Sequence, residues 1–312
     1  KDSHFSDLEC DLDLSEKCFP TAQCYLNITD FVNSSKPLIY VYGGSSVVIN
    51  DNTFSSIIQD KLDSGLIVNF GFCVADSFII KEHIKNTINY YGKPDVVIIY
   101  SGHNDFTNFY HYINSFEYFY FFLEKISIFS GDDLWWQARL KRGPFLNKLQ
   151  NLNLVKFNIT KLDFMKDEIL NRFIKNNDEI QNYLNDLKIP IIYLTTIGNL
   201  EAEPYGDIST TSYYYKKGLN EQNYLNRIKY LKKAMDSEMF TYDIRANSKL
   251  NDYIRSLDKI DEIYVLDLEN ELISRNFSFG FDDFTDYFHF TQNTHLLIAD
   301  LLYNNTLKEL LN

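Results

Sequence analysis

Three short segments of this 312-residue chain hold side chains whose types and spacing suit acyl transfer. Gly43-Gly44-Ser45-Ser46 offers a hydroxyl among small residues, so a carbonyl can approach the backbone beside it. Gly102-His103-Asn104-Asp105 offers a side-chain amide donor. Asp286-Tyr287-Phe288-His289 offers a carboxylate three residues before an imidazole, close enough to turn back onto Nδ1 while Nε2 faces a hydroxyl. A serine nucleophile needs such a base, a group that orients it, and donors for the oxyanion. The first segment is not the G-x-S-x-G elbow, because position 47 is Val. Ser46 is a rival nucleophile, and Asp282 and Asp283 are alternative acids for His289. A metal reading would gather Asp105, Asp286, His289 and His295, but a D-x-x-H pair is not a metal motif, and no metal or other cofactor is expected. His295 reads as structural, and His4, His83 and His111 have no constellation near them.

These segments must be positioned by the elements around them. Leu38 to Tyr42, Leu66 to Phe70, Asp95 to Tyr100, Ile189 to Thr196 and Glu262 to Leu268 read as buried strands, the first three ending at glycine. Helical spacing predicts helices over Phe54 to Leu62, about 76 to 90, Leu162 to Leu187, and from Thr291 onward. Strands alternating with helices predict a three-layer α/β/α fold, a doubly wound parallel five-stranded sheet with its site beyond the carboxyl ends of the strands. Residues 1–36 read as an N-terminal arm with three cysteines, and 37–312 as the main domain. Within that domain, 106–188 reads as an aromatic-rich helical insertion, too long for a structureless loop.

The net charge of −13, from 43 acidic and 30 basic side chains, argues against nucleic acid as a partner and against a protein that coats anionic membranes. No stretch is long and apolar enough to predict a transmembrane helix. The chain begins at Lys1, as a processed product would, and Cys10, Cys18 and Cys24 cluster in the arm while Cys73 stands apart. That clustering suits a local disulfide in an oxidising compartment, with free thiols as the alternative. A secreted or extracytoplasmic location is the expectation, and a cytoplasmic one its rival. The five N-x-S/T sequons are close to chance and decide nothing. Aromatic residues reach 16%, and ten Phe and Tyr fall between Phe106 and Phe122, directly behind Asn104. They can form the core of the insertion, a lid over an acyl chain, or a wall that stacks on sugars.

Taken in order, the blocks resemble those of the SGNH (GDSL-type) hydrolases: Gly43-Gly44-Ser45 after the first strand, Gly71 after the second, Gly102-His103-Asn104-Asp105 after the third, and Asp286-x-x-His289 before the last helix. The likeness is greatest to the subset with G-G-S-S and G-H-N-[DE], and it spans roughly residues 37 to 311. Thr195-x-x-x-Asn199-Leu200 and Asp243-Ile244-Arg245 are lesser marks. The resemblance implies a flavodoxin-like fold and hydrolysis of esters without a cofactor. It assigns Ser45 as nucleophile, His289 as base and then acid, and Asp286 as its orienting partner. The oxyanion donors it implies are the N–H groups of Ser45 and Gly71 and the amide of Asn104. Substrate contacts are expected from Gly44, Ser46, His103, Asp105, Asn199 and Arg245. The family's common Asp before the serine is Gly44 here. The expected substrate is a small-molecule or glycan ester, an O-acyl group on carbohydrate first and a lipid ester second; a silent glycan- or partner-binding protein is the alternative of another class. Oligomeric state is left open.

Overall fold

The computed structural model describes residues 32, 36–48, 52–62, 64–106, 159–204, 209–238 and 245–311, with side chains of the helix that opens the fourth range described from 166. The arm cysteines, the aromatic run behind Phe106 and Trp135-Trp136 lie outside the described residues.

Five parallel strands form one sheet in the order β2-β1-β3-β4-β5. They are β1 (Leu38–Gly43), β2 (Leu66–Asn69), β3 (Val96–Tyr100), β4 (Ile191–Leu194) and β5 (Ile263–Leu266). The register runs Leu38 beside Leu66, Ile39 beside Val96, Val97 beside Ile191 and Ile191 beside Ile263. Runs of Val, Ile and Tyr suit strands buried on both faces, and alternate residues supply two cores. Leu38, Tyr40 and Tyr42 enter the first, with Val97, Ile99, Ile191 and Tyr193; Ile39 and Val41 enter the second, with Ile98, Ile192 and Leu194.

Helices cover both faces. On the first lie α2 (Ser77–Tyr91), α3 (Ile159–Asp186) and α6 (Ser248–Ser256), which bury Ile80, Ile84, Phe173, Leu184, Leu250 and Ile254. On the second lie α1 (Phe54–Lys61), α5 (Tyr224–Asp236), α7 (Leu268–Ser274) and the closing α8 (Gln292–Leu302), with α4 (Ser209–Leu219) paired to α5. Helix α3, which begins inside the expected insertion, is the crossover from β3 to β4 and packs directly on α2. Helices α4 to α7 have no counterpart in the sequence expectation. The order 2-1-3-4-5 reverses between β1 and β3, and ligand sites in such sheets form at that crevice, beyond the carboxyl ends of the strands. Ser45 follows β1 and Asn104 follows β3.

Candidate active site

Ser45 opens a short 3-10 turn, Ser45–Val47, directly at the end of β1. It is only 8% exposed, and its Oγ lies 2.7 Å from His289 Nε2. His289 Nδ1 lies 2.5 Å from Asp286 Oδ2. An ionised carboxylate only accepts, so Nδ1 carries the proton and Nε2 is left to accept from the serine hydroxyl. Burial alone would raise the Asp286 carboxyl. The hydrogen bond from His289, with the N–H groups of Phe288 and His289, outweighs it and holds the group at about 2. The carboxylate therefore stays ionised, as an orienting group must.

The spacing of three works because Asp286 uses both oxygens. Oδ1 accepts from the N–H of Phe288 at 3.0 Å and of His289 at 2.9 Å, closing a tight turn, while Oδ2 meets the ring. Four successive carbonyls of this loop are then tied down. Asn199 Nδ2 donates to Asp286 O, Asn199 N–H to Tyr287 O, Ser46 Oγ to Phe288 O and Thr285 N–H to His289 O. An antiparallel bridge between Phe284 and Phe290 closes its base. His289 is thus delivered to Ser45 by a loop with little freedom.

Among the oxyanion candidates, Ser45 N–H is the first donor of its 3-10 turn and has no acceptor within it. Asn104 is buried, and its Nδ2 donates one hydrogen to Ala75 O at 3.1 Å. A Cβ built on Gly44 would stand 2.2 Å from that nitrogen. The amide therefore lies against Gly44 Cα, and its second N–H is not spent on Ala75 O. Glycine stands at 44 because the amide occupies the space a side chain there would need. Gly102, at φ +143°, makes the turn that carries β3 into this segment.

Gly71 departs from the expectation. Its N–H donates to Asn69 Oδ1 at 2.9 Å, and a Cβ on it would meet Val47 and Val48. The connection from β2 to α2 instead meets Asn104 and Gly44 through the carbonyl of Ala75, just beyond Val74 at φ +63°. Asn69, a strand-end residue to which the sequence assigned no role, bonds Val47 O and Ser55 Oγ through Nδ2 and so staples the serine turn to β2 and α1. Its signal is only a polar residue ending an apolar strand.

Of the expected substrate contacts, Ser46, His103, Asp105, Asn199 and Arg245 are buried and their side chains bond to protein groups, as those of Ser45 and Asn104 also do. His103 Nδ1 accepts from Ala246 N–H and Nε2 donates to Ile197 O, while its ring stacks on Phe288 with centroids 4.9 Å apart. Burial, the largest effect, lowers its pKa to about 3, so it is neutral. Asp105 accepts from the N–H and Oγ of Ser77 at the start of α2; burial and then the Asp76 charge push its carboxyl well above the usual range. Arg245 pairs with buried Glu238, donates to Asn199 O and Ala202 O, and lies under the Tyr287 ring, not at a rim. Ser46 faces a carbonyl rather than a base. Asp283 binds Ser278 Oγ, which leaves Asp286 as the partner of His289. His295 Nδ1 accepts from Phe54 N–H, away from His289, and Asp105 faces α2, so the four residues of a metal reading do not converge.

No family model and no curated protein sequence matches the chain. Solved structures match it over most of its length at low identity. A catalytic mutant of an acetylxylan esterase from Geobacillus stearothermophilus is 12% identical, over 90% of this chain and 96% of that one, with a TM-score of 0.48. A GDSL-like lipase from Bacteroides thetaiotaomicron is 11% identical, over 91% and 96%, with a TM-score of 0.47. A member of the lipolytic G-D-S-L family from Veillonella parvula is 12% identical, over 87% and 98%, with a TM-score of 0.44.

Proposed function

We propose that the protein is a serine hydrolase of SGNH type that cleaves carboxylic esters through an acyl-serine intermediate. The observation that carries this is the unbroken hydrogen-bond line from Ser45 Oγ through His289 to ionised Asp286. In the first step Ser45 Oγ attacks the ester carbonyl as its proton passes to His289 Nε2, and the alkoxide leaves with that proton. Water, deprotonated by the same nitrogen, then releases the acid and restores the serine. The second Asn104 N–H and the Ser45 N–H stabilise the oxyanion of both tetrahedral intermediates. No step calls for a cofactor.

For the substrate, the reading is an O-acyl ester, acetyl first, on carbohydrate or cell-surface glycan. The aromatic run directly behind Asn104 supports a wall that stacks on sugar rings. A secreted or extracytoplasmic setting goes with it, supported by Cys73, which is disulfide-bonded. The test is hydrolysis of p-nitrophenyl acetate, its longer-chain homologues and an acetylated oligosaccharide by wild type and Ser45→Ala. The wild type is expected to turn over the acetyl substrates and Ser45→Ala to be inactive. Retained activity in Ser45→Ala would remove the nucleophile. Preference for chains of about eight carbons or more would replace the glycan reading with a lipid one, in which the same rings cover an acyl chain. No turnover of any ester would favour a glycan- or partner-binding protein.

A further inference from the structure

We propose that the solvent face of the α4–α5 hairpin is a docking surface for an anionic lipid bilayer. Residues 209–236 carry six basic side chains (Lys216, Lys217, Arg227, Lys229, Lys232, Lys233) against two acidic ones, in a chain whose overall charge is −13. Arg227 and Lys232 are paired inward, with Glu201 and Glu269. Lys216, Lys217, Lys229 and Lys233 have no ion pair among the described residues and are exposed. Helical spacing collects them: Tyr213, Lys216 and Lys217 line the outer face of α4, and Leu225, Lys229 and Lys233 that of α5.

The partner is chosen by what stands between the ammonium groups. Leu225 is 63% exposed, Tyr213 58% and Leu219 44%, three large apolar side chains on one basic surface. Beside them a cavity of about 340 Å³ is lined by Leu225, Ile228, Ile273 and the three lysines of α5, together with Asp236 and Ser248. Polysaccharide and nucleic acid offer no apolar phase to receive the leucines. Nor are the tyrosines free to stack on sugars or bases: Lys217 covers the Tyr213 and Tyr230 rings and Lys233 covers Tyr214. A bilayer with anionic headgroups meets both requirements, phosphates for the lysines and the acyl boundary for Leu225 and Leu219. The overall negative charge does not forbid this, because exposed charges more than about 8 Å away are largely screened at physiological salt.

The inference does not depend on ester hydrolysis, and the test keeps the two apart. Partition of the full chain is measured with vesicles of phosphatidylcholine alone and of phosphatidylcholine with phosphatidylglycerol, beside heparin and duplex DNA as competitors. Binding is expected only to the mixed vesicles and weakens with salt. At roughly fivefold per lysine, Lys229→Glu with Lys233→Glu lowers it by at least about 25-fold. Leu225→Ser lowers it independently, while thermal unfolding and turnover of soluble ester are unchanged in both variants. No partition, equal partition to both vesicles, or partition unaffected by the lysine changes would overturn the proposal. So would displacement by heparin or DNA together with indifference to Leu225→Ser, which would assign the face to a polyanion.

Discussion

At the scale of single residues, the site depends on what packs against its donors and its base. Gly44 is the clearest case, since any Cβ there displaces the Asn104 amide. Gly44→Ala is expected to leave the fold intact and lower kcat by about 10²-fold, the usual effect of removing one oxyanion donor, read from steady-state kinetics on a short ester. His103 holds the His289 loop through its stack on Phe288, and it does so uncharged. Its folded pKa, about 3, lies below the unfolded value of 6.5. The stability it contributes is therefore full above about pH 6.5 and is lost as pH falls toward 3. His103→Gln, which does not titrate, should show a shallower fall of Tm across that interval. An unchanged slope would mean that His103 is not held neutral.

Elements are joined to the site at their ends. Asp105 links the turn after β3 to the first N–H of α2, and Ser77 Oγ in turn accepts from Asn176 on α3. Removing the carboxylate strands a buried N–H and hydroxyl together, so Asp105→Ala should lower unfolding free energy by about 1–3 kcal/mol, measured by urea titration. Activity should fall with it, because Asn104 precedes Asp105 in the same turn. The strands and the helices α1, α2, α3 and α8 were legible from β-branched runs and helical spacing, to within a few residues. Helices α4 to α7 were not read. Their buried stripes are narrow, as with Ile228, Leu231 and Met235 on α5, and the polar residues between them leave the local pattern ambiguous.

For the molecule as a whole, the buried Arg245–Glu238 pair anchors the segment after β4 to the chain ahead of α6, and through Asn199 to the loop bearing Asp286. Arg245→Met leaves a buried carboxylate without its cation and should cost about 3–5 kcal/mol. Replacing both partners with apolar residues should cost less, a difference that a double-mutant cycle measures. Net charge is likewise a whole-molecule quantity. It argued against nucleic acid and anionic membranes as partners, but it averaged away the basic face of α4 and α5, which appears only when helical spacing sorts the lysines onto one side.

The chain alone determined the chemistry on offer, because residue type and order along the sequence specify a serine, an amide, a carboxylate and an imidazole at strand and helix ends. It also determined the parallel sheet that carries them, through apolar runs punctuated by glycine. Only the tertiary structure decided among equivalents. Ser46 is turned to Phe288 O, 242 positions away, while Ser45 meets His289 across 244. The Gly71 N–H is taken by Asn69, and Ser46, His103, Asp105, Asn199 and Arg245 are buried among protein partners. Those choices rest on which buried donors find which acceptors, a condition set by packing among distant segments and not by any local pattern.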